Sequence, residues 1–483
     1  MAHHLKFTET EIQELFGHEA AEDEDPQRLR EYYFKSTTYD QVITDLPLRI
    51  LVGHKGIGKS ALFRVAIAEY EDQDRLAVEL RPDDIAELAV ESSDFLSLIR
   101  TWKVGLRRIV AQRAARQMGL PQAKVVTQLE SAESVVEALS SVGRTENVNG
   151  SSSNTVLNGF LASGQLTVFV DDLDRGWEGR RQDVKRISAL LNAVRDLVKE
   201  DRGLRFRISL RSDVYFLVRT SDESTDKIEG SVIWQSWTNH DIYVLLVKRI
   251  ETYFGREANS DSLRNRSQLD LLKYLEPIMD TTFRGKGHWR NASIHRVLLS
   301  LIRKRPRDLV KLCTLAGRSA CGSKSTLIYT ENFRSVFEEY SQGRIQDTIN
   351  EYRSELPDVD RLILNMCPTV KEKTAKAGFV YTTDALVSKI KKIAEQGQFR
   401  FKSQKPASEK DLAAFLYKIN FLTARKERPD SIVRRFFEEQ RYLQSQFVDF
   451  GFDWEVHPAY RWALQPGNID EIFESLKLSA DEG

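Results

Sequence analysis

Leu48-Arg49-Ile50-Leu51-Val52-Gly53-His54-Lys55-Gly56-Ile57-Gly58-Lys59-Ser60-Ala61-Leu62-Phe63 is the stretch whose reading decides the fold. It passes from a short apolar run to a glycine-spaced loop and then to helix formers, so a buried strand, a tight turn and a helix follow one another directly. Positions 53 to 60 satisfy G-x-x-x-x-G-K-[ST], the phosphate-binding loop, in the strand-to-helix context that gives the motif its meaning. Gly53, Gly56 and Gly58 let backbone N–H groups turn toward phosphate oxygens, and the helix points its positive N-terminal end at the same anion. The expected binding set is therefore Gly53, His54, Lys55, Gly56, Ile57, Gly58, Lys59, Ser60 and Ala61. Lys59 is suited to the β- and γ-phosphates, and the Ser60 hydroxyl to Mg²⁺.

Working outward, Leu166-Thr167-Val168-Phe169-Val170-Asp171-Asp172 is an apolar run that ends in two carboxylates. Parallel sheets bind ligands beyond the carboxyl ends of their strands, so this pair falls at the right edge. Asp171 is the candidate Mg²⁺ ligand, and Asp172 the candidate base that orients the attacking water. A helix-capping role for the pair is the plainer alternative. Asp174 and Arg175 extend the run to D-D-L-D-R. After the next strand-like run, Leu204 to Leu210, comes Arg211, a candidate contact for a γ-phosphate or else a surface ion pair. Farther on, Pro306 suits the first position of a helix. Beside it, Arg307 is either a residue that closes over the nucleotide or part of a solvated basic face.

The remaining pattern organises these motifs. Ile12, Leu15 and Phe16 have helical spacing in an acidic opening segment. Arg75 to Leu80 reads as another strand, and Phe95, Leu98, Ile99, Trp102, Leu106, Ile109 and Val110 mark a long amphipathic helix between Asp94 and Leu120. Val184, Ile187, Leu190, Leu191 and Val194 mark a further helix between strands. Strands alternating with helices predict a parallel α/β sheet covered on both faces. Residues 140–158, with V-N-G-S-S-S-N-T, read as a loop or insertion. After Trp237 the strand signal fades; Asp241–Phe254 and Ile294–Ala320 read as helices, and strand candidates return only at Phe421–Arg425 and Phe447–Phe452.

With 483 residues, 41% of them hydrophobic and 29% charged, the chain has ample material for several cores. Acidic and basic side chains balance at 71 each, so no global field draws it to nucleic acid or an anionic membrane. Cys313, Cys321 and Cys367 match neither a disulfide framework nor a zinc site, which favours a reducing compartment. No apolar run approaches the roughly 18 residues of a membrane span, and M-A-H-H-L-K-F-T-E-T-E-I lacks a signal-peptide core. A cytoplasmic location without membrane contact is the expectation.

G-H-K-G-I-G-K-S, V-F-V-D-D-L-D-R, the L-R-S-D after the next strand and R-P-R-D-L in a helical region together resemble the AAA+ and STAND branch of P-loop ATPases. The D-D-x-D-R form, with A-A-E-D-E-D and E-Y-Y-F near the N-terminus, is similar to bacterial ATPases of the KAP type, many of which occur in anti-phage defence loci. F-L-T-A-R-K, Q-F-V-D-F-G-F and V-H-P-A-Y-R-W-A-L in the tail look like a winged helix. The resemblance implies an N-terminal helical segment (1–45), a P-loop ATPase core (46–236), a helical lid (237–325) and a winged-helix-like C-terminal domain (326–483). It implies ATP and Mg²⁺ as cofactors, Lys59, Ser60, Asp171 and Asp172 as the catalytic set, Arg211 as sensor of γ-phosphate and Arg307 as lid sensor. A winged-helix histidine touching ADP phosphate has His457 as its one candidate. Asp rather than Glu at position 172 favours a switch over a processive motor.

Weaker signals complete the inventory. Arg290-Asn291-Ala292-Ser293-Ile294-His295 has the R-N-x-x-x-H form of HEPN ribonucleases. Lys389, Lys391, Lys392, Phe399, Arg400, Phe401 and Lys402 interleave charge and aromatics as nucleic-acid grips do, or as a solvated helix face does. Asp430 and Glu438 lack a lysine at nuclease spacing. Tyr32, Tyr33, Phe34 and Tyr39 are candidates for stacking adenine or for core packing, and the guanine-specifying N-K-x-D motif is absent. The expected function is an ATP-binding and slowly ATP-hydrolysing switch, in anti-phage defence beside a separate effector and as a homo-oligomer whose arginine finger is Arg175, Arg180 or Arg181. The alternative is an ATP-dependent protein that loads onto DNA.

Overall fold

Strand β1 (Leu48–Gly53) lies inside a five-stranded sheet ordered β2-β3-β4-β1-β5, with β2 at Ala77–Leu80, β3 at Leu166–Val170, β4 at Leu204–Arg211 and β5 at Val232–Trp234. Every pairing in it is parallel. The computed structural model describes residues 5–478 apart from 89–93, 147, 149, 222, 375–377, 403–405, 429–431, 442, 444–450 and 468. It divides into two compact units, Lys35–Gln235 and Met1–Phe34 with Ser236–Gly483.

The sheet's two faces are sorted by strand alternation. Val168, Val170, Phe206, Ile208 and Leu210 join one hydrophobic cluster with Leu98, Trp102 and Leu106 of the helix Phe95–Gln117 and with Ile187, Leu190 and Val194 of the helix Arg181–Glu200. Phe169, at an odd position, meets Phe63 and Tyr70 of the helix Lys59–Asp72 edge-on, with ring centroids 5.2 and 5.7 Å apart. The α/β core with a sheet covered on both faces is thus the fold of a P-loop protein.

One expectation about local structure changes. Within the stretch read as a loop, residues 140–145 and 151–158 are helical, in Val135–Thr145 and Ser151–Ser163, because Leu157 and Phe160 bury at helical spacing and outweigh the weak propensity of the serines and asparagines. The helices expected over Ile294–Ala320 are Ile294–Leu301 and Pro306–Gly322, the second opening at Pro306 as its sequence position implies; they are separated where Lys304 takes a positive φ and Pro306 cannot donate to the preceding turn. Of the strand expected at 447–452, residues 447–450 lie outside those described.

In the second unit the helix Glu9–Phe16, closed by a Thr8/Glu11 capping box, buries Ile12, Leu15 and Phe16. Gly317 on Pro306–Gly322 permits the close crossing, since a Cβ there would stand 3.2 Å from Ile12 Cγ1. The segments assigned above to lid and tail both belong to this unit. β6 (Thr282–Arg284) and β7 (Arg290–Ser293) form an antiparallel pair, and toward the C-terminus β8 (Val380–Tyr381), β9 (Leu422–Glu427), β10 (Ile432–Arg435) and β11 (Asp453–Val456) form an antiparallel sheet ordered β10-β9-β11-β8, with the helices Thr383–Ala394 and Glu409–Lys418 between β8 and β9.

Within that sheet Glu455 is buried and accepts from Arg434 Nε at 2.8 Å and from Arg461. Burial alone would raise its carboxyl; Arg434 and Arg461 outweigh burial and hold it at about 2, below the ordinary 4.5. Because the folded value is depressed, its contribution to stability is complete above pH 4.5 and is lost as pH falls toward 2. Glu455→Gln should cost about 3–5 kcal/mol at neutral pH by leaving two buried guanidinium groups short of a charge. Urea unfolding followed from pH 7 to pH 2 checks both: the mutant should be weaker at pH 7 and show a flatter acid dependence.

Candidate nucleotide site

The expected loop leaves β1 at Gly53, where a Cβ would stand 2.9 Å from Ile57 Cγ2 and 3.2 Å from Gln235 Cβ, so the turn closes only on glycine. Gly56 and Gly58 have φ of 76° and 100°, and the helix Lys59–Asp72 starts from Gly58 in the left-handed region. Lys59, Ser60 and Ala61 therefore supply the first N–H groups of that helix, which carry no partner of their own within it. His54 is buried and its Nδ1 lies 3.0 Å from Ser212 Oγ, while Ile57 is buried and Lys55 exposed. Lys59 Nζ donates to Gly53 O at 3.0 Å and His54 O at 3.2 Å, so its ammonium curls over the loop that carries it.

Parallel pairing places the other residues. Gly53 is opposite Arg211 across β1 and β4, and Val170 is opposite Ile208 across β3 and β4. The residue that follows β3, Asp171, consequently meets Ser209, whose hydroxyl donates to Asp171 Oδ1. Asp172 stands in the left-handed region with φ 58°, takes its own N–H to Asp171 Oδ1 at 2.9 Å, and leaves its side chain 51% exposed, 3.9 Å from Arg175. Arg211 does not end in solvent: it donates to Asp213 through Nε at 3.0 Å and Nη2 at 2.5 Å, and to Asp174 through Nη1 at 3.1 Å. Burial raises the Asp174 carboxyl above its ordinary value, against the opposing pull of Arg211 and Lys59.

Four residues here were not singled out as site residues from the sequence. Asp174 entered only as part of D-D-L-D-R, Ser212 and Asp213 only as part of the L-R-S-D after the next strand, and Ser209 carried no motif. The strand alternation was the usable signal, since Ser209 and Arg211 are the polar positions that alternate with Ile208 and Leu210. Arg307 belongs to the second unit, on the helix that Pro306 opens, and lies 3.8 Å from Glu19. Arg175 also lies 3.5 Å from Asp83, Arg180 pairs with Glu178, and Arg181 is exposed at the start of its helix.

The weaker candidates resolve into structure. Tyr32, Tyr33, Phe34 and Tyr39 are buried, with the Tyr32 hydroxyl on Glu24 at 2.9 Å and the Tyr39 hydroxyl on Glu69. His295 is buried and stacked on Tyr243 at 5.4 Å, while Arg290 is exposed, so the pair does not face one reacting atom. His457 is buried, accepts from Ala459 N at 3.1 Å, and is held neutral by burial together with Arg434 and Arg303. Lys389 bonds Glu372 at 2.7 Å, and Phe399 is buried under Arg361, 3.7 Å from its ring centroid, so the basic-aromatic stretch is not one open face. Asp430 lies outside the described residues; Glu438 accepts from Asn420 Nδ2 at 3.0 Å. No described helix is long and apolar enough to cross a membrane.

No family model matches the chain. The putative transposon gamma-delta 80.3 kDa protein of Escherichia coli K12 is 22% identical over 522 residues, which cover 96% of this chain and 70% of the relative. Similar solved structures include ORC2 of Aeropyrum pernix in ADPNP–ADP complexes, at 12% identity and a TM-score of 0.38 over 89% of this chain and 86% of that one. Drosophila ORC bound to DNA matches at 10% identity and a TM-score of 0.34, over 98% and 92% of the two chains. Cdc6p of Pyrobaculum aerophilum matches at 14% and 0.27, over 93% and 98%. At such scores the likeness carries no weight for activity, and the chemistry rests on the side chains above.

Replacing Lys59 by Ala removes a charged donor that no neighbour replaces. Calorimetric titration with MgATP should show a loss of about 10- to 100-fold in affinity, with thermal unfolding of the uncomplexed protein little changed.

Proposed function

We propose that the chain binds ATP with Mg²⁺ and hydrolyses it slowly, as a conformational switch of the AAA+/STAND kind. The observation that carries the reading is the Arg211 cradle. Its guanidinium is shared between Asp174 and Asp213 at the sheet's C-terminal edge, beside the loop whose Lys59 also pulls on Asp174. A γ-phosphate seated on Lys59 competes with Asp174 for Arg211, so exchange of one anion for the other converts phosphate occupancy into movement of the D-D-L-D-R turn.

The donor set also fits Mg²⁺. Asp171, Asp172, Asp174 and Asp213 outnumber Lys59 and Arg211, and a polyphosphate entering among these carboxylates needs a cation's charge with it. Among the described residues no group of three or more His, Cys, Asp or Glu side chains could hold a metal alone. That suits Mg²⁺, which binds through one or two protein oxygens with substrate phosphates and water making up its shell. Ser60 and Asp171 would hold it; bound there, it would neutralise charge as the terminal phosphoryl leaves. Asp172, open to water at the strand's end, is the proposed base, and Arg307 the proposed lid contact.

The finer reading, a role in anti-phage defence beside a separate effector and as a homo-oligomer, is supported by the D-D-x-D-R resemblance. DNA loading is the rival, and the second unit supports it only in part. Lys426 and Arg428 at the end of β9 are exposed, as a phosphate-contacting wing requires. The helix Glu409–Lys418, which a winged helix would offer to a groove, buries Leu412 through Lys418, with Lys418 bonded to Glu355 at 2.7 Å.

ATP turnover with Mg²⁺ for the wild type, Lys59→Ala and Asp172→Asn, with and without duplex or single-stranded nucleic acid, separates the two. Basal turnover that both variants lose, Asp172→Asn by about 10²-fold or more, and that nucleic acid leaves unchanged supports the switch. Strong stimulation by nucleic acid supports the loader instead, and ATP bound without any turnover removes Asp172 from its role.

The cradle makes a separate prediction. Asp174→Asn should raise affinity for MgATP relative to MgADP by releasing Arg211, whereas Arg211→Ala should lower that ratio, each by about 10-fold. If calorimetry shows both variants moving the ratio the same way, the competition does not exist.

A further inference from the structure

Beside the turn that carries Asp172 and Asp174, Leu173 and Trp177 meet Ile85, Trp102, Ile187 and Leu190 around a crevice of about 40 Å³. Its walls are the helices Phe95–Gln117 and Arg181–Glu200. Space of that size accepts a few waters or one modest side chain and no more. The indole N–H groups of Trp102 and Trp177 are both sealed from solvent and both lack a hydrogen-bond partner. Buried indoles ordinarily find an acceptor, so two orphans lining one crevice mark a place built for a group that supplies one. Trp102 is 1% exposed, which makes its orphaned donor the costlier of the two. At the rim, Arg186 is exposed and has no carboxylate partner among the described residues, while Asp183 is occupied by the N–H groups of Glu178 and Arg180 at 3.2 and 3.0 Å.

We propose that this crevice receives one apolar side chain of a partner polypeptide, with that residue's main-chain carbonyl accepting from the indoles and an adjacent carboxylate pairing with Arg186. The donors and the rim charge argue for an acidic-apolar segment, and the volume limits insertion to a single side chain. Both indole nitrogens are sealed from solvent, so an acceptor reaches them only if the lining of the crevice shifts, and Leu173 to Trp177 is the part of that lining that lies in neither helix nor strand. Gly176, with φ 76°, is the pivot available at that end of the turn. Occupancy therefore shifts the segment holding Asp172 and Asp174, a consequence that rests on the switch proposed above.

The binding is tested without reference to hydrolysis. Acetyl-Glu-Leu-Glu-amide, acetyl-Lys-Leu-Lys-amide and 4-methylpentanoate are titrated by calorimetry into wild type, Arg186→Glu and Trp177→Phe. The glutamate peptide should saturate in the wild type, bind about 10-fold more weakly to Arg186→Glu, and lose affinity in Trp177→Phe, which keeps an apolar ring but no N–H. Absence of saturation at concentrations on the order of 10 mM, or equal binding of the lysine peptide, overturns the site. Saturation by 4-methylpentanoate but not by the peptide overturns the assignment of a polypeptide occupant. ATP turnover measured with the glutamate peptide then tests the coupling: a change in the wild type supports it, and tight binding with unchanged turnover overturns the coupling while leaving the site standing.

Discussion

The parallel register of β4 between β1 and β3 is the constraint on which the rest depends. Phe206, Ile208 and Leu210 of β4 face the large hydrophobic cluster, and Arg207, Ser209 and Arg211 alternate with them. A slip by one residue would turn the guanidinium groups into that cluster and the apolar side chains out of it. Burial of three large apolar side chains, at about 1.5–3 kcal/mol each, thus enforces a register whose functional product is polar: Ser209 against Asp171 and Arg211 beside Gly53. Arg207 shows what the alternate face demands, since it is fully buried and spends its donors on the carbonyls of Thr44 at 2.7 Å and Leu46 at 2.9 Å.

From that register follows an electrostatic arrangement with two occupancies. Arg211 and Lys59 both have protein acceptors, carboxylates for the first and loop carbonyls for the second. In the proposed reading a phosphate would displace contacts that already exist, so binding would yield the difference between two sets of bonds rather than the whole of one. That would lower affinity and raise sensitivity to which anion is present, as the proposed switch requires and a pure binding site does not.

The core and loop were legible because their signals are local. The strand, the glycines, Lys59 and Ser60 occupy one unbroken run, and Leu166–Val170 ends where its hydrophobicity ends. The cradle was not legible in the same way. Asp174, Ser209 and Asp213 come together from the turn after β3, from β4 and from the helix Ser212–Ser221 that follows β4 directly, and no spacing in the chain announces a contact that only strand pairing creates. The helical residues 151–158 escape a reading that weighs composition above periodicity: Val156, Leu157, Phe160 and Leu161 have helical spacing among the serines and asparagines. The aromatic residues Tyr32, Tyr33 and Phe34 show the reverse, a suggestive cluster whose rings are simply packed.

In the second unit, burial of charge takes the place of the hydrophobic register. Asp308 accepts from Arg303 at 2.7 and 2.8 Å and from Arg344 at 2.7 Å, and Arg303 goes on to Thr348 and the Tyr460 hydroxyl, each at 2.9 Å. All three charged groups are almost wholly enclosed. Burial would raise the Asp308 carboxyl, but Arg303 and Arg344 outweigh it and hold the group well below its ordinary range. Separating such partners without water to replace them costs several kcal/mol, more than a typical coupling of about 1–3 kcal/mol between sites supplies. The segment after the helix Ile294–Leu301, the long helix Thr330–Tyr352 and the turn at Tyr460 are consequently bound to move together. Arg307, one residue before Asp308, moves with them, so a contact made there is felt by the whole assembly of helices rather than absorbed by one.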